Sequence, residues 1–321
     1  MSVSVSIAAW NGAEYLREAL ASVAAQTLQP LEVVVVDDGS TDHTAEVCAS
    51  FAPLVKYFYQ ENDGTSGATA HMRSVLEARG EFIAFLDQDD RWLPTKLEKQ
   101  VAAMRANPAA GAVFTDVNWI DEDGNFLKAS KFPPLSGDTF HTLLEGNRFY
   151  HSSAMVSRAA LCRSGVRDLD TGMGDWDQWL RIARHFPVIF IDEYLTEYRV
   201  HAGNYSVDKR RIAESTRRVL ERYRQRLHPG CRQCVRSFRA GWRLVARAYL
   251  DHYHIAARTH EFRRGANSLA KAVRADASYA LSPRQLASVA KSVGVAAFRA
   301  GKNTDRGSDH KLAPVEQPRR S

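Results

Sequence analysis

Three carboxylates crowd the end of one short apolar run in the sequence. The run Phe82–Leu86 leads into Asp87, and Asp89 and Asp90 follow within the segment FLDQDDRW. Like charges at this spacing repel one another unless something neutralises or solvates them. A hard divalent cation such as Mg²⁺ or Mn²⁺ prefers carboxylate oxygens as ligands. The three acids leave three interpretations open at this point: a metal site, a solvated loop or a helix cap.

The surrounding residues alternate between strand and helix patterns. Apolar, β-branched runs at 3–9 and 31–36 predict buried strands, and 15–26 has the spacing of a helix with one apolar side. Further strands are predicted at 55–59, 82–86 and 112–114, and further helices at 68–78 and 95–107. This order predicts an α/β fold, a mostly parallel, open, Rossmann-like sheet flanked by helices and followed by a helical C-terminal region.

Polar residues follow three of the predicted strands, at Trp10-Asn11, Asp37-Asp38 and Asp87-Gln88-Asp89. The carboxyl ends of parallel strands meet at one edge of a sheet, where ligands bind. The first strand is not followed by GxGxxG, and the chain has no GxxxxGK[ST] segment. A nicotinamide dehydrogenase and a P-loop enzyme are therefore disfavoured, while a ligand site at this edge is expected.

The composition excludes other classes of protein. With 321 residues, 45% of them apolar, the chain can bury a large core. No apolar run is long enough to predict a membrane span. The start MSVSVSIAAWNG lacks the basic and apolar stretches of a signal peptide. Four cysteines are too few for a disulfide scaffold, which favours a cytoplasmic location.

Four segments resemble, in order and spacing, the family 2 glycosyltransferases with the A-type nucleotide-sugar fold. They are SIAAWNGAEYLREALASVAAQTLQPLEVVVVDDGSTDHT, ARGEFIAFLDQDDRWLPTKLE, GMGDWDQWLRIARHF and YRVHAGNYS, and they span the first two-thirds of the chain. The resemblance implies inverting transfer of a sugar from a nucleotide-diphosphate donor to a hydroxyl group. The expected donor is a UDP- or dTDP-sugar, and the expected acceptor is a glycan or a lipid-linked sugar.

The resemblance assigns a metal to the acidic strand end. Asp87 and Asp89 match the family's DXD pair, which implies that Asp89 binds Mn²⁺ or Mg²⁺ and that Asp87 holds the ribose or the metal's water shell. His201 resembles a late histidine that completes the metal site or touches the diphosphate. Asp90 is expected to cap the segment that begins at Trp92.

The same resemblance implies a pocket for the nucleotide base. Trp10 is expected to stack on a pyrimidine ring, and Asp38 to accept a hydrogen bond from the ring N–H. The family often has Ala-Arg-Asn where this chain reads Ala70-His71-Met72. Three alternatives follow: His71 replaces the arginine near the nucleotide, the later Arg73 replaces it, or the contact is absent.

On the acceptor side, the resemblance assigns the general base to Asp175. Inverting transfer needs a group that takes the proton from the attacking hydroxyl, and a carboxylate can do this. Many relatives have an acid where this chain has Gly174, but the residues that follow keep the register. Trp176 and Asp177 are the predicted acceptor-binding residues, with core packing and helix capping as their alternatives.

Charge divides the chain. Residues 1–204 carry 28 acidic and 17 basic residues, whereas 205–321 carry 9 and 26. We therefore expect a nucleotide-sugar-binding catalytic domain at 1–204, a basic helical region at 205–300 and a disordered tail at 301–321. Within 234–254, apolar residues and arginines form separate faces of one helix, which predicts contact with an anionic membrane at its inner face, or packing onto the protein.

Two other functions compete with sugar transfer. A nucleotidyltransferase shares the alternating sheet and the acidic site, but AAWNGAEYL lacks that class's basic, Gly-rich loop. A basic membrane or nucleic-acid-binding scaffold would not need Asp38, Asp89 or Asp175, and no nucleic-acid partner is expected. Cys231 and Cys234 form a single CxxC pair, which without a second pair predicts neither zinc binding nor redox chemistry, although His228 lies close to the pair.

Overall fold

The computed structural model describes residues 2–65, 67–132, 138–165, 173–204, 207–259 and 261–292. Its strands are β1 Val3–Ala9, β2 Glu32–Asp38, β3 Val55–Gln60, β4 Phe82–Phe85, β5 Arg91–Trp92, β6 Ala112–Ile120, β7 Phe126–Ser130, β8 Met155–Ser157 and β9 Val188–Arg199. Its helices are α1 Ala13–Ala24, α2 Thr44–Ala49, α3 Ala68–Glu77, α4 Lys96–Ala106, α5 Thr139–Leu144, α6 Arg158–Ser164, α7 Gly174–Ala183, α8 Lys209–Tyr223, α9 Arg232–Arg258, α10 Phe262–Ala275 and α11 Ala277–Ala280. A 3-10 turn spans His151–Ser153.

One sheet contains all the strands of the described residues, in the order β3-β2-β1-β4-β8-β6-β9-β5, with β7 paired to β6. The half from β3 to β4 is parallel throughout. In the other half β8 runs antiparallel between β4 and β6, and β6 pairs in parallel with β9. The parallel half brings the carboxyl ends of β1, β2 and β4 to one edge, which positions the polar residues that follow them.

The apolar runs form these strands because both faces of the parallel half are covered. Every residue of β2 and β4 is buried, and most of β1 is buried as well. Helix α1 contributes Leu16, Leu20 and Val23 to the core at helical spacing. Strands packed between two helical layers have no polar face, which is why the sequence shows continuous rather than alternating apolar residues.

The predicted fold class is confirmed, with parallel pairing in the half of the sheet from β3 to β4 and mixed pairing beyond it. Two compact units are present: the first comprises Met1–Asp208 and Glu214–Gly241, and the second Lys209–Ala213 and the residues from Trp242 onward. Residues 214–241 thus belong with the first unit, past the predicted boundary at 204. The predicted tail at 301–321 lies outside the described residues.

Helix α9 carries the predicted basic face. Val245 and Tyr249 on its apolar side are buried, which agrees with packing onto the protein. The four arginines of the other side, Arg236, Arg239, Arg243 and Arg247, are all exposed. An anionic surface would therefore meet arginines rather than the apolar side. In the described part of the chain, every helix is too short or too polar to cross a bilayer.

Candidate active site

Asp87, two residues after the end of β4, faces two histidines. Asp87 Oδ1 lies 2.8 Å from His151 Nδ1 and 3.7 Å from His71 Nε2. The Asp87 N–H also donates to Ser152 Oγ at 3.0 Å. His151 was not among the residues predicted from the sequence, because it follows no recognisable motif and reaches the site from the 3-10 turn, 64 residues along the chain.

Asp89 faces His201 instead. Asp89 Oδ2 lies 2.9 Å from His201 Nε2, and this contact raises the pKa of the imidazole. Neighbouring ligand atoms around an octahedral Mg²⁺ lie about 2.9 Å apart, and Mn²⁺ also accepts an imidazole ligand. The pair therefore fits one edge of a divalent-cation shell, and Asp89 and His201 are the residues that would hold the ion.

Buried Arg199 fixes the backbone under this pair. Its Nε donates to the Asp89 main-chain oxygen at 2.8 Å, its Nη1 to the Glu122 carbonyl at 2.7 Å, and its Nη2 to Glu18 Oε2 at 2.6 Å. The first of these bonds holds the main chain of Asp89 and leaves its carboxylate directed at His201. Arg199 is consequently a supporting residue of the loop.

The expected cap at Asp90 is wrong. The Asp90 carboxylate is fully buried, accepts the Ser152 hydroxyl hydrogen bond at 2.5 Å, and accepts the Arg199 N–H at 2.9 Å. Burial, followed by the charges of Asp89 and Asp87, raises the pKa of Asp90 well above its usual value. Asp90 thus ties β4 to the 3-10 turn and to the end of β9, rather than capping the segment at Trp92.

The carboxyl ends of β1 and β2 carry an aromatic ring, that of Trp10, and a carboxylate, that of Asp38. The Trp10 side chain is 55% exposed, while its main chain is held at both ends by the Gln88 amide at 2.8 and 3.1 Å. Asp38 is covered, accepting from Gln60 Nε2 at 2.8 Å and from Asn62 Nδ2 at 3.2 Å, and burial raises its pKa. A carboxylate oxygen has two lone pairs, so Asp38 retains acceptor capacity.

His71 and Arg73, the two residues expected near the nucleotide, have different surroundings. Arg73 donates to the Tyr59 carbonyl at 2.9 Å and lies over the Phe58 ring, so it contacts β3. His71, two residues earlier on α3, lies beside Asp87.

Helix α7 presents Asp175 toward the same edge. Asp175 lies in its first turn, half-buried, and accepts a hydrogen bond from Asn147 Nδ2 at 2.8 Å. Trp179, four residues later and therefore on the same side of the helix, packs against Phe85 and His151 with ring centroids 5.8 and 6.2 Å apart. That packing directs the Asp175 side of α7 toward the end of β4.

The two predicted acceptor residues are wrong as surface contacts. Trp176 is fully buried, and its Nε1 donates to the Leu143 carbonyl at 2.8 Å. Asp177 is also fully buried and accepts from Arg181 Nε at 2.6 Å. Both belong to the inner side of α7, where they pack and pair within the protein.

The comparisons with known proteins agree with this fold. The model of the Glycosyl transferase family 2 matches residues 4–167, half of the chain, and the chain belongs to this family. An uncharacterized glycosyltransferase of Rickettsia conorii is 30% identical over 218 residues, which are 62% of this chain and 34% of that protein. The chain thus spans about a third of that relative's length.

Two solved structures share the fold. S. aureus TarS 1–349 in complex with UDP has a TM-score of 0.65 at 17% identity, covering 98% of this chain and 95% of that one. The mannosyltransferase PcManGT from Pyrobaculum calidifontis, in complex with GDP-Man and Mn²⁺, has a TM-score of 0.58 at 22% identity, covering 92% and 86%. At these identities the likeness shows the fold.

Proposed function

We propose that this protein is an inverting glycosyltransferase that moves a sugar from a nucleotide-diphosphate donor, a UDP- or dTDP-sugar, to a hydroxyl group of a glycan or lipid-linked acceptor. The observation that carries the proposal is the Asp89–His201 pair at the ligand edge of a family 2 glycosyltransferase fold. The packing of Trp179, on the same helix as Asp175, against Phe85 of β4 supports a place for Asp175 near that edge. One structural neighbour binds UDP and the other binds GDP-Man with Mn²⁺, and both ligands contain the nucleoside diphosphate of the proposed donor.

The donor is held by three parts of the edge. Exposed Trp10 stacks on the base, Asp38 accepts the base N–H, and His71 and Asp87 lie toward the ribose and diphosphate. Departure of the diphosphate leaves negative charge on its oxygens, and Mn²⁺ or Mg²⁺ bound by Asp89 and His201 neutralises such charge. His71 adds a hydrogen-bond donor at the position where relatives often have arginine.

Asp175 performs the proton transfer. Its carboxylate accepts the proton of the acceptor hydroxyl as that oxygen attacks the anomeric carbon, and the bond from that carbon to the diphosphate oxygen breaks on the opposite face. Attack from the face opposite the leaving group inverts the configuration. Asn147, which donates to Asp175, holds the carboxylate in position without removing its basic lone pairs.

The distribution of charge along the chain suggests roles for the first unit and for helix α9. We assign donor binding and catalysis to the first unit and attraction to an acidic surface to the exposed arginines of α9. A lipid-linked acceptor in an anionic leaflet would lie beside such a surface, so the proposed location is the cytoplasmic face of a membrane, with peripheral contact. Nucleic acid has no role in this proposal.

Nucleotide binding tests the proposal directly. The purified protein is heated with UDP, dTDP, GDP or CDP, each with and without Mn²⁺. A ligand that binds only the folded state at a hundredfold excess over its Kd stabilises that state by about 2.7 kcal/mol. We expect a metal-dependent rise in Tm with UDP or dTDP. Equal curves with all four nucleotides, with and without Mn²⁺, would contradict the proposed function.

Replacing Trp10 by Ala is expected to weaken binding of the nucleotide without lowering the Tm of the ligand-free protein. Stacking of a base on an aromatic side chain contributes about 1–3 kcal/mol, so Kd should rise roughly five- to 150-fold. Because the indole is 55% exposed and its main chain is fixed by Gln88, the fold loses little packing. Calorimetric titration measures the Kd. The matched control is Tyr59→Ala, which removes another aromatic ring that is 53% exposed. An unchanged Kd in Trp10→Ala would remove Trp10 from the base pocket.

A further inference from the structure

We propose that His141, His228, Cys231 and Cys234 form a structural zinc site. His141 Nε2 lies 3.2 Å from Cys234 Sγ and 3.4 Å from Cys231 Sγ, and Cys234 Sγ lies 3.5 Å from His228 Nδ1. One ligand atom from each of the four residues lies within 4.8 Å of all the others. All four belong to the first unit.

These distances match the edges of a zinc tetrahedron. Zinc bonds to sulfur at about 2.3 Å and to histidine nitrogen at about 2.0–2.1 Å, which places neighbouring ligand atoms roughly 3.3–3.8 Å apart. The three nitrogen–sulfur distances are close to that range. Two thiolates and two imidazoles are a ligand set that closes a structural zinc site and leaves no open position.

Local structure brings three of the ligands together. The spacing is His-x₂-Cys-x₂-Cys, and Gly230 has a φ of 70°, a left-handed conformation that turns the chain between His228 and Cys231. The His228 N–H donates to Cys234 Sγ at 3.4 Å, and the Cys234 N–H donates to Cys231 Sγ at 3.4 Å. Main-chain donors aimed at both sulfurs stabilise thiolates, the form that binds metal.

The fourth ligand is oriented by a carboxylate. Asp138 caps α5 by accepting the Phe140 N–H at 2.9 Å, and its other oxygen lies 3.5 Å from His141 Nδ1. A carboxylate at Nδ1 favours the tautomer with the proton there, which leaves Nε2 free to bind metal. His141 Nε2 is the ring nitrogen that faces both sulfurs.

Sequence reasoning rejected zinc because the chain has only one CxxC pair. The structure supplies the missing ligand from His141, more than 80 residues earlier, on another helix. The approach of α5 to α9 depends on Gly241, where a Cβ would overlap the main-chain oxygen of Leu144.

The proposed zinc site would stabilise the position of α5, the helix against which α7 packs. The Leu143 carbonyl of α5 accepts the Trp176 indole N–H of α7, and Phe140 of α5 lies beside His228 with ring centroids 5.2 Å apart. Zinc at His141 therefore joins α5 to the turn before α9 and supports the helix that carries Asp175. The proposed role is structural, separate from the Mn²⁺ or Mg²⁺ held by Asp89 and His201.

Metal content and cobalt spectroscopy test this inference. The full chain, expressed with zinc in the medium and purified in excess Mn²⁺, is expected to retain about one zinc per chain. Cys231→Ser/Cys234→Ser should retain none. Cys162→Ser removes an exposed cysteine elsewhere and should retain all of it. His228→Cys should also retain zinc, because thiolate replaces imidazole in the ligand set.

Cobalt reports the geometry in the folded wild-type chain. Co²⁺ exchanged into the site should show the absorption of tetrahedral, thiolate-bound cobalt, stronger in His228→Cys and missing from the double cysteine variant. Chelation should lower the Tm of the wild type by roughly 5 °C or more, and that of the double variant not at all. Wild-type protein with no zinc and no cobalt thiolate band would overturn the inference. A Cys231–Cys234 disulfide, found by thiol counting without reductant, would do so as well.

Because the nucleotide screen does not depend on this site, the two proposals fail separately. A wild type that binds zinc but no nucleotide would leave the zinc site standing and remove the proposed function. A wild type that binds nucleotide with Mn²⁺ but holds no zinc would do the reverse.

Discussion

Asp89→Ala is expected to abolish the metal-dependent part of donor binding. The carboxylate supplies the anionic oxygen of the pair with His201, and without it the ion loses the ligand that offsets its charge. The negatively charged diphosphate then lies beside the acidic residues of this edge with no cation to neutralise it. In the thermal screen, the stabilisation of about 2.7 kcal/mol expected at a hundredfold excess over the wild-type Kd should disappear.

The loop itself should survive this change. Arg199 holds Asp89 through its main-chain oxygen, which alanine keeps. The Tm of ligand-free Asp89→Ala should therefore stay within the range of an ordinary surface substitution, about 0.5 kcal/mol in stability. Asp123→Ala is the matched control, because it removes the same charge from an exposed position outside the proposed site.

His201→Gln is expected to distinguish binding with Mn²⁺ from binding with Mg²⁺. Imidazole suits Mn²⁺ better than Mg²⁺, so this variant should lose more nucleotide affinity with Mn²⁺ than with Mg²⁺. Undiminished Mn²⁺-dependent binding by Asp89→Ala would assign the ion to another group. The next candidate is the set of His71, Asp87 and His151, whose ligand atoms lie within 4.8 Å of one another.

The sequence predicted the elements of the ligand edge because the physics there is local. Strand β1 has the predicted bounds, and the acids at 87 and 89 follow β4 as expected. A run of apolar residues that ends in polar ones is visible in any window of the chain. The resemblance added the late pair of Asp89 and His201, 112 positions apart, which periodicity alone would not connect.

The site residues that the sequence did not predict depend on packing between segments that are far apart in the chain. His151 and His141 carry no local signal, and each acquires its partners only when the 3-10 turn and α5 are placed in the fold. The partner of Arg73, the Tyr59 carbonyl, likewise lies on another element of the fold, 14 residues earlier in the chain.

Helical spacing favours the packing alternative for Trp176. Trp176, Leu180 and Ala183 recur at i, i+4 and i+7, the pattern of a helix side that faces the core. Asp177 and Arg181 are likewise four residues apart, the spacing of an ion pair within one helix. Helical phase thus assigned both residues to the inner side of α7, while proximity to Asp175 in sequence suggested the acceptor.

Asp175→Asn is expected to keep donor binding and to lose sugar transfer. The amide has the shape of the carboxylate but cannot take the proton from the attacking hydroxyl. General base catalysis contributes about 10²–10⁴-fold, so the rate of transfer should fall by that factor while the Kd of the nucleotide stays the same. Release of nucleoside diphosphate from the donor identified in the screen, with a panel of aryl glycosides as acceptors, measures the rate.

Asp177→Asn is the matched control, because the same substitution two positions along removes a structural charge instead of the base. The buried Asp177 carboxylate pairs with Arg181, and breaking that pair should cost about 3–5 kcal/mol of stability. The transfer rate per folded molecule should be unchanged. Asp175→Asn should therefore lower the transfer rate and leave the Tm unchanged, whereas Asp177→Asn should lower the Tm and leave the transfer rate unchanged.

If Asp175→Asn transferred sugar at the wild-type rate, the base would be another group. A rate lost only in Asp177→Asn, in protein shown to be folded, would transfer the role to the inner side of α7.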